Sequence, residues 1–230
     1  MKKELSNRDR KDRDDKCKKQ ANNFDDIVKC YLNSQVLVNE EWNENISTHN
    51  LYIEPWKENV KKSKNIEEAI KKAVSSRDSN KKCHGHQKRI RKNVYRKYYK
   101  LLIQRKEAIL ICRSFDELVK IGDEISDNVK WAGYLFSYDV MLRIAEYLKA
   151  KHDIDNILPT KVYLHAHPEK SAKTLFPNLR LSRTIKKCVL PKEFERLKPY
   201  QCEEVLCIYH DAIVKASKNR WVAINGVVHN

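Results

Sequence analysis

Apolar and polar positions repeat at helical spacing along most of this chain, and that pattern predicts a mainly α protein. In FDDIVKCYL, Phe24, Ile27 and Tyr31 recur at three and four residues; NIEEAIKKAV is a short amphipathic helix with Asn65 as its cap. From Gln87 onward Ile90, Val94, Tyr98, Leu101, Leu102, Ala108, Ile109 and Cys112 form one stripe, with Arg91, Lys92, Arg96, Lys100 and Lys106 opposite it. Ser114 and Glu117 have capping-box spacing ahead of the apolar positions Leu118, Ile121 and Ile125. SDN then breaks that helix, and another runs from about Gly133 to Ala150. Two further helices follow Pro168 and Pro199, the second with Val205, Tyr209, Ile213 and Ala216 on one face. Strand signals are few: KVYLH, and a terminal hairpin in RWVAINGVVH, where Asn-Gly suits a tight turn.

SSRDSNKKCHGHQ lacks periodicity and reads as a loop. Residues 1–20 are almost wholly polar and mixed in charge, too poor in apolar area to offset ordering entropy, and read as a disordered tail. The expected organisation is that tail, an N-terminal helical region over 21–80, and a helical domain carrying the chemistry over 81–230.

Composition narrows the class. At 230 residues and 41% apolar, the chain is long enough to bury a core. No run approaches the ~20 apolar residues of a membrane span, and no apolar segment follows the basic N-terminus, so a soluble cytoplasmic protein is expected. Seven cysteines without a CxxC point to buried thiols in a reducing compartment, not to a disulfide framework or a structural zinc site.

Charge changes the picture most. Lys and Arg number 47 against 31 Asp and Glu, a net +16. Residues 81–106 hold seven Lys and four Arg with no acid, and 161–200 hold seven Lys and three Arg against three Glu. Between them, 107–159 holds six basic and ten acidic residues. Two basic blocks around a less basic middle suggest a clamp for a polyanion. A solvated basic surface is the plainer alternative, and an anionic membrane surface fits less well, because neither block has a strong amphipathic anchor.

The order FDELVKIGDEI, SDNVKWAG, YLFSYDVMLRIAEYL is helix, short turn, helix. It outlines a helix-hairpin-helix, in which N–H groups of a tight turn and of the next helix's N-terminus hold a DNA phosphate. Gly133 would permit the close backbone approach and Lys130 adds positive charge. Trp131 stands where the usual Gly-x-Gly has its first glycine, so an ordinary helical hairpin is the competing reading. Asp139 and Arg143 are four residues apart on one helical face. They make either an exposed pair worth ~0.3–0.5 kcal/mol or a reactive carboxylate. In the second reading Trp131, Tyr134, Phe136 and Tyr138 set its protonation state and stack on a base taken out of the duplex.

The pairs His84/His86 and His165/His167 have no acidic residue close in sequence, so phosphate contact or core packing is favoured over metal binding. Cys83 and His84 are chain neighbours, which rarely places side chains for proton transfer.

KWAGYLFSYDVMLRIAEYL, PTKVYLHAHPEKSAKTL and YQCEEVLCIYHD, spread over residues 83–211, resemble a group of bacterial proteins with the 8-oxoguanine DNA glycosylase fold. That group includes phage-defence glycosylases acting on modified cytosines. The likeness is strongest around Tyr138-Asp139, Arg143 and VYLHA, and absent from roughly the first eighty residues. It implies a helix-hairpin-helix, glycosylase-like helical domain with few short strands. The wider superfamily uses an essential aspartate downstream of the hairpin, and bifunctional members add a lysine just after its glycines. Here Tyr134, Leu135 and Phe136 follow Gly133. The resemblance therefore implies a monofunctional enzyme that leaves an abasic site without β-elimination. Asp153 and Asp155 are nearer the expected distance from the hairpin than Asp139, but they sit in a polar stretch that reads as a loop, so Asp139 is preferred.

The expected function is thus a DNA N-glycosylase that excises a damaged or modified base, with Asp139 as the catalytic carboxylate. Trp131, Tyr138, Arg143 and His165 would form the base pocket. His86, Lys88, Arg89, Arg91, Arg96, Lys130, Gly133 and Lys173 would contact double-stranded DNA. No cofactor or metal is expected. The alternative is a non-catalytic basic helical protein that grips nucleic acid through phosphates.

Overall fold

The computed structural model describes residues 21–32, 36–38, 41–43, 54–77, 83, 87–154 and 156–226. The expected tail over 1–20, His84, His86 and Asp155 lie outside the described residues. The fold is mainly α, and it divides into two units, one over 53–160 and the other joining residues up to 52 with those from 161 on. The linear division at residue 80 is not the one adopted. The first helix packs with the last third of the chain, which local pattern does not reveal.

That second unit contains α1 (Phe24–Leu32), a short hairpin of β1 (Val36–Val38) and β2 (Glu41–Asn43), and the region from β3 (Val162–Tyr163) onward. β3 pairs antiparallel with β4 (Thr184–Ile185). Three helices follow in this region: α8 (His167–Leu175), α9 (Pro199–Ile208) and α10 (His210–Gly226). Its core sets Phe24, Ile27, Val28 and Tyr31 of α1 against Val205, Leu206, Tyr209 and Ile213. The apolar face 205/209/213/216 is buried as expected, although Tyr209 interrupts the helix and starts a second one. The terminal hairpin does not form. Helical periodicity carries α10 through Gly226, leaving no strand for Asn-Gly to turn.

The 53–160 unit contains α2 (Glu54–Lys61), α3 (Ile66–Ser75), α4 (Lys92–Gln104), α5 (Lys106–Ile111), α6 (Phe115–Asn128) and α7 (Tyr134–His152). Caps behave as local chemistry requires. Asn65 Oδ1 accepts from Glu68 N at 2.9 Å, and Ser114 Oγ accepts from Glu117 N at 3.3 Å. The return bonds reach one residue further out than a capping box does: Glu68 accepts from Lys64 N and Glu117 from Arg113 N, both at 2.7 Å. The stripe from Ile90 to Cys112 is not one helix. A 3₁₀ turn precedes it, α4 begins at Lys92, and the chain breaks at Arg105, with no glycine or proline to announce the break. SDN does not end its helix either; α6 runs through Asn128, because Ile125 and Val129 are both buried and hold the last turn down.

α7 is the central element, apolar nearly all round and buried from Phe136 to Leu148 except at the half-buried Asp139. It lies close to α6 because Gly122 faces it: a Cβ there would fall 2.4 Å from Ser137 Oγ and 2.9 Å from Met141 Cγ. α7 also buries Glu146, whose carboxylate lies 3.7 Å from the enclosed Lys57 Nζ and 3.4 Å from Lys61 Nζ, tying α2 to α7.

Cys30 is disulfide-bonded, which departs from the expectation of a reducing compartment with mostly buried thiols. Cys83, Cys112, Cys188, Cys202 and Cys207 are in no disulfide, and of these Cys112 and Cys202 are buried. Burial pushes the Cys112 thiol up to about 11 and the Cys202 thiol up to about 12, so neither ionises near neutrality.

Candidate nucleic-acid interface

The turn between α6 and α7 is tight. Val129 N donates to Ser126 O at 3.1 Å and Ala132 N to Val129 O at 2.9 Å. Trp131 takes φ 75°, in the left-handed region that favours glycine. Gly133 has φ −62° with nothing within 4 Å of where its Cβ would sit, so neither backbone nor packing inside the protein requires glycine there. The glycine this hairpin does require is Gly122, which the pattern of the sequence left unremarked. Lys130 is exposed, its Nζ 5.4 Å from the Trp131 ring centroid.

α4 lies beside this turn. Lys97 Nζ donates to Asn128 O at 2.8 Å, a cation at the C-terminal end of α6, where the helix dipole favours it. Tyr98 OH donates to Gly122 O at 3.2 Å and pairs with Ser137 Oγ at 2.9 Å, while Tyr95 and Tyr98 meet Phe136 edge-on. The buried face is Val94, Tyr98 and Leu102, as the stripe predicts.

The opposite side forms a ridge of Lys88, Arg89, Arg91, Lys92, Arg96 and Lys100, all exposed and, among the described residues, in no ion pair with a carboxylate. Lys106 and Arg105 do not join it. Lys106 pairs with Glu67 at 2.5 Å, which raises the lysine above its ordinary value, and Arg105 reaches Glu124 at 3.5 Å. The ridge crowds the N-terminal end of α4, whose first turn has no acidic residue. Cations there oppose the helix dipole, an arrangement an external anion would relieve.

Asp139 and Arg143 are not an exposed pair. Arg143 is 5% exposed; its Nη1 donates to Ser76 Oγ (3.0 Å), Ala73 O (3.2 Å) and Gln87 Oε1 (3.3 Å). Asp139 is half-buried and accepts from Gln87 Nε2 at 3.1 Å, so the Gln87 amide links guanidinium to carboxylate. Burial pulls Arg143 below its ordinary value, and Asp139, then Tyr95 and Cys83, work against that fall. Tyr95 OH donates to Gln87 O at 2.7 Å and is itself raised, by burial first and then by Cys83. Gln87, Ser76 and Tyr95 escaped the sequence reading, since nothing local marks a glutamine in a basic loop as a partner of α7.

The remaining expected site residues scatter. Tyr138 is 1% exposed and packs edge-on against Phe115 at 5.6 Å, so it is a core residue. Trp131 stands 70% exposed at the tip of the turn. His165 and Lys173 belong to the other unit. His165 is buried and stacked on Tyr163, and Lys173 pairs with Glu169 at 2.5 Å. Asp153 is exposed and closes α7 with φ 49°, in agreement with its reading as a loop residue.

In that other unit Tyr31 OH donates to the buried Glu204, and burial, then the Glu204 charge, holds Tyr31 well above its ordinary range. Ser171 Oγ donates to Leu206 O at 2.6 Å, which leaves His210 Nδ1, at 2.9 Å, as donor to it. A serine whose proton is committed to a carbonyl, and which is fully buried, is no nucleophile. Among the described residues no cluster of His, Cys, Asp and Glu could hold a metal ion, and no helix is long and apolar enough to cross a membrane.

No protein-family model, no curated protein and no solved structure matches this chain.

Proposed function

We propose that the 53–160 unit binds DNA along the α4 ridge and the α6–α7 turn, and hydrolyses the N-glycosidic bond of a damaged or modified base, with Asp139 as the carboxylate. The observation that carries this reading is the fixed carboxylate. Asp139 is held by Gln87 Nε2 and lies one helical turn from a buried guanidinium, in the same unit as a ridge of uncompensated cations. Breaking the bond between C1′ and the base develops positive charge on the sugar. A positioned carboxylate stabilises that charge and orients the water that adds to C1′ as the base leaves. The base must first leave the stack, and the phosphates flanking it would lie on Lys88, Arg89, Arg91, Arg96 and Lys130. Tyr134, Leu135 and Phe136 supply no amine after the turn, so the product is an intact abasic site.

The test is incubation with DNA carrying different modified bases, modified cytosines first, followed by alkali to cut at abasic sites. Wild-type protein should produce alkali-labile sites. Asp139→Asn should lower single-turnover base release by roughly 100-fold or more, the scale of removing a fixed charge from a developing transition state, while binding is kept or tightened. Full release by the Asn variant would remove Asp139 from the mechanism, and Asp153 and Asp155 would be next.

One observation favours the non-catalytic alternative. Arg143 bonds to Ala73 O and Ser76 Oγ, and those contacts join the C-terminal end of α3 to α7 whether or not Asp139 reacts. In that reading the ridge binds nucleic acid, no modified base is released, and Asp139→Asn changes only stability.

A further inference from the structure

We infer that Trp131 is a base-stacking wedge, and that the 53–160 unit prefers single-stranded or locally opened nucleic acid to intact duplex. The inference rests on the reading of the α4 ridge as a nucleic-acid surface; it is independent of whether Asp139 is catalytic.

Three features of the turn carry it. Trp131 occupies the left-handed region at φ 75°, where glycine is easy and a bulky residue is strained. Its ring is 70% exposed, so packing inside the unit does not offset that strain. Lys130 holds its ammonium over the ring, which leaves an aromatic face and a cation together at the tip. The strained backbone therefore presents the indole outward, and among the described residues its ring contact is with the neighbouring Lys130 alone.

The surroundings select the kind of partner. The α4 ridge supplies phosphate-binding charge beside the turn, and Lys97 reaches α6 at its last turn. The acid nearest in sequence, Asp127, accepts from Tyr134 OH at 2.9 Å, and Glu124 takes Arg105. A Cβ at Gly133 would meet nothing within 4 Å, so the backbone where α7 begins is open. Trp131, with only Tyr134 as a second exposed aromatic at the turn, suits the face of a nucleobase beside cations, whereas a protein partner or a bilayer would call for a wider apolar patch. Bases of an intact duplex already stack on their neighbours, so the ring gains most where one neighbour is missing.

The experiment compares wild type, Trp131→Gly and Trp131→Phe as full-length chains. The probes are a labelled single-stranded oligonucleotide, the same sequence as perfect duplex, a duplex with a central abasic gap, and vesicles with anionic lipid. Trp131→Gly relieves the strain and removes the ring, so its melting temperature should hold or rise. Its affinity for single-stranded and gapped DNA should fall roughly 10-fold, and for perfect duplex less than about 3-fold. Trp131→Phe should keep most of the affinity. Equal loss on all three DNA probes with a lower melting temperature would make Trp131 structural and overturn the proposal, as would unchanged binding by the Gly variant. Vesicle binding that depends on Trp131 would also overturn it, in favour of a membrane surface. Wild type that binds no DNA probe would remove the ridge reading and this inference together, an outcome distinct from selective failure of the Gly variant.

Discussion

The two units carry similar sequence signatures, a basic block each, yet they dispose of charge differently. In the second unit Lys173 pairs with Glu169, Arg196 with Asp25, and Lys187 donates to the carbonyls of Glu195 and Leu197. Its buried polar pair, Tyr31 and Glu204, is acidic. In the 53–160 unit the pattern is reversed. Its buried ionic groups include two cations, Arg143 and Lys57, the second beside Glu146, and six exposed cations stand together with no carboxylate partner among the described residues. Counting Lys and Arg finds two polyanion-binding blocks, and among the described residues Lys170, Arg180, Lys186, Lys192 and Lys198 of the second are also exposed and in no ion pair. The α4 block differs in crowding its cations at one helix's N-terminal end, while Lys173 and Arg196, already on carboxylates, release less when they meet a phosphate.

Substitutions can break or sharpen that contrast. The largest effect is expected at the buried cation: Arg143→Met keeps the aliphatic stem but strips donors from Gln87, Ser76 and the Ala73 carbonyl. It should cost about 3 kcal/mol in urea unfolding. A cost below about 1 kcal/mol would mean the network is not integral to the unit. The matching change in the other unit, Tyr31→Phe, removes one donor from Glu204 and should cost about 1–2 kcal/mol. If it costs more than Arg143→Met, the contrast is reversed.

The ridge is tested by salt. Arg89, Arg91 and Arg96 changed together to Ala should reduce the slope of log Kd against log salt by roughly 2–3 if each meets a phosphate, with stability nearly unchanged. The corresponding loss of Lys173 and Arg196, already paired, should move the slope little. An equal change from both sets would make the two blocks equivalent.

The smallest effect concerns the α6 cap. The Arg113 N–H bond, joined by the Ser114 hydroxyl and backbone and the Arg113 charge, holds the Glu117 carboxyl below the ordinary glutamate value of 4.5. A carboxyl lowered in the folded state stabilises above its unfolded value and loses that contribution as pH falls through the folded one. Wild type should therefore melt slightly above Glu117→Gln near pH 7, with the gap closing below pH 4.5. A gap that persists at pH 3 would assign the difference to side-chain geometry and not to charge.

What sequence alone determined here is what neighbours within one or two helical turns decide. The Asn65 and Ser114 caps, the buried face of α4 and the 205/209/213/216 face follow from hydrogen bonding and side-chain spacing within a helix. The exposed face of α4 was legible for the same reason. The candidate site was half legible: Asp139 and Arg143 stood out by spacing and charge, but spacing could not say whether the pair faces water or the core. The tertiary structure decided that through partners far along the chain. Gln87 meets Asp139 across 52 positions, Ser76 meets Arg143 across 67, and Tyr31 meets Glu204 across 173. It also decided that α1 packs with the C-terminal helices, that Gly122 is the glycine α7 needs, and that a tryptophan sits in a glycine's conformation. The physical reason is one of range. Caps and amphipathic faces depend on short-range geometry repeated along the chain. Burying a charge is unfavourable until specific donors and acceptors converge on it, and no local pattern encodes which residues those are.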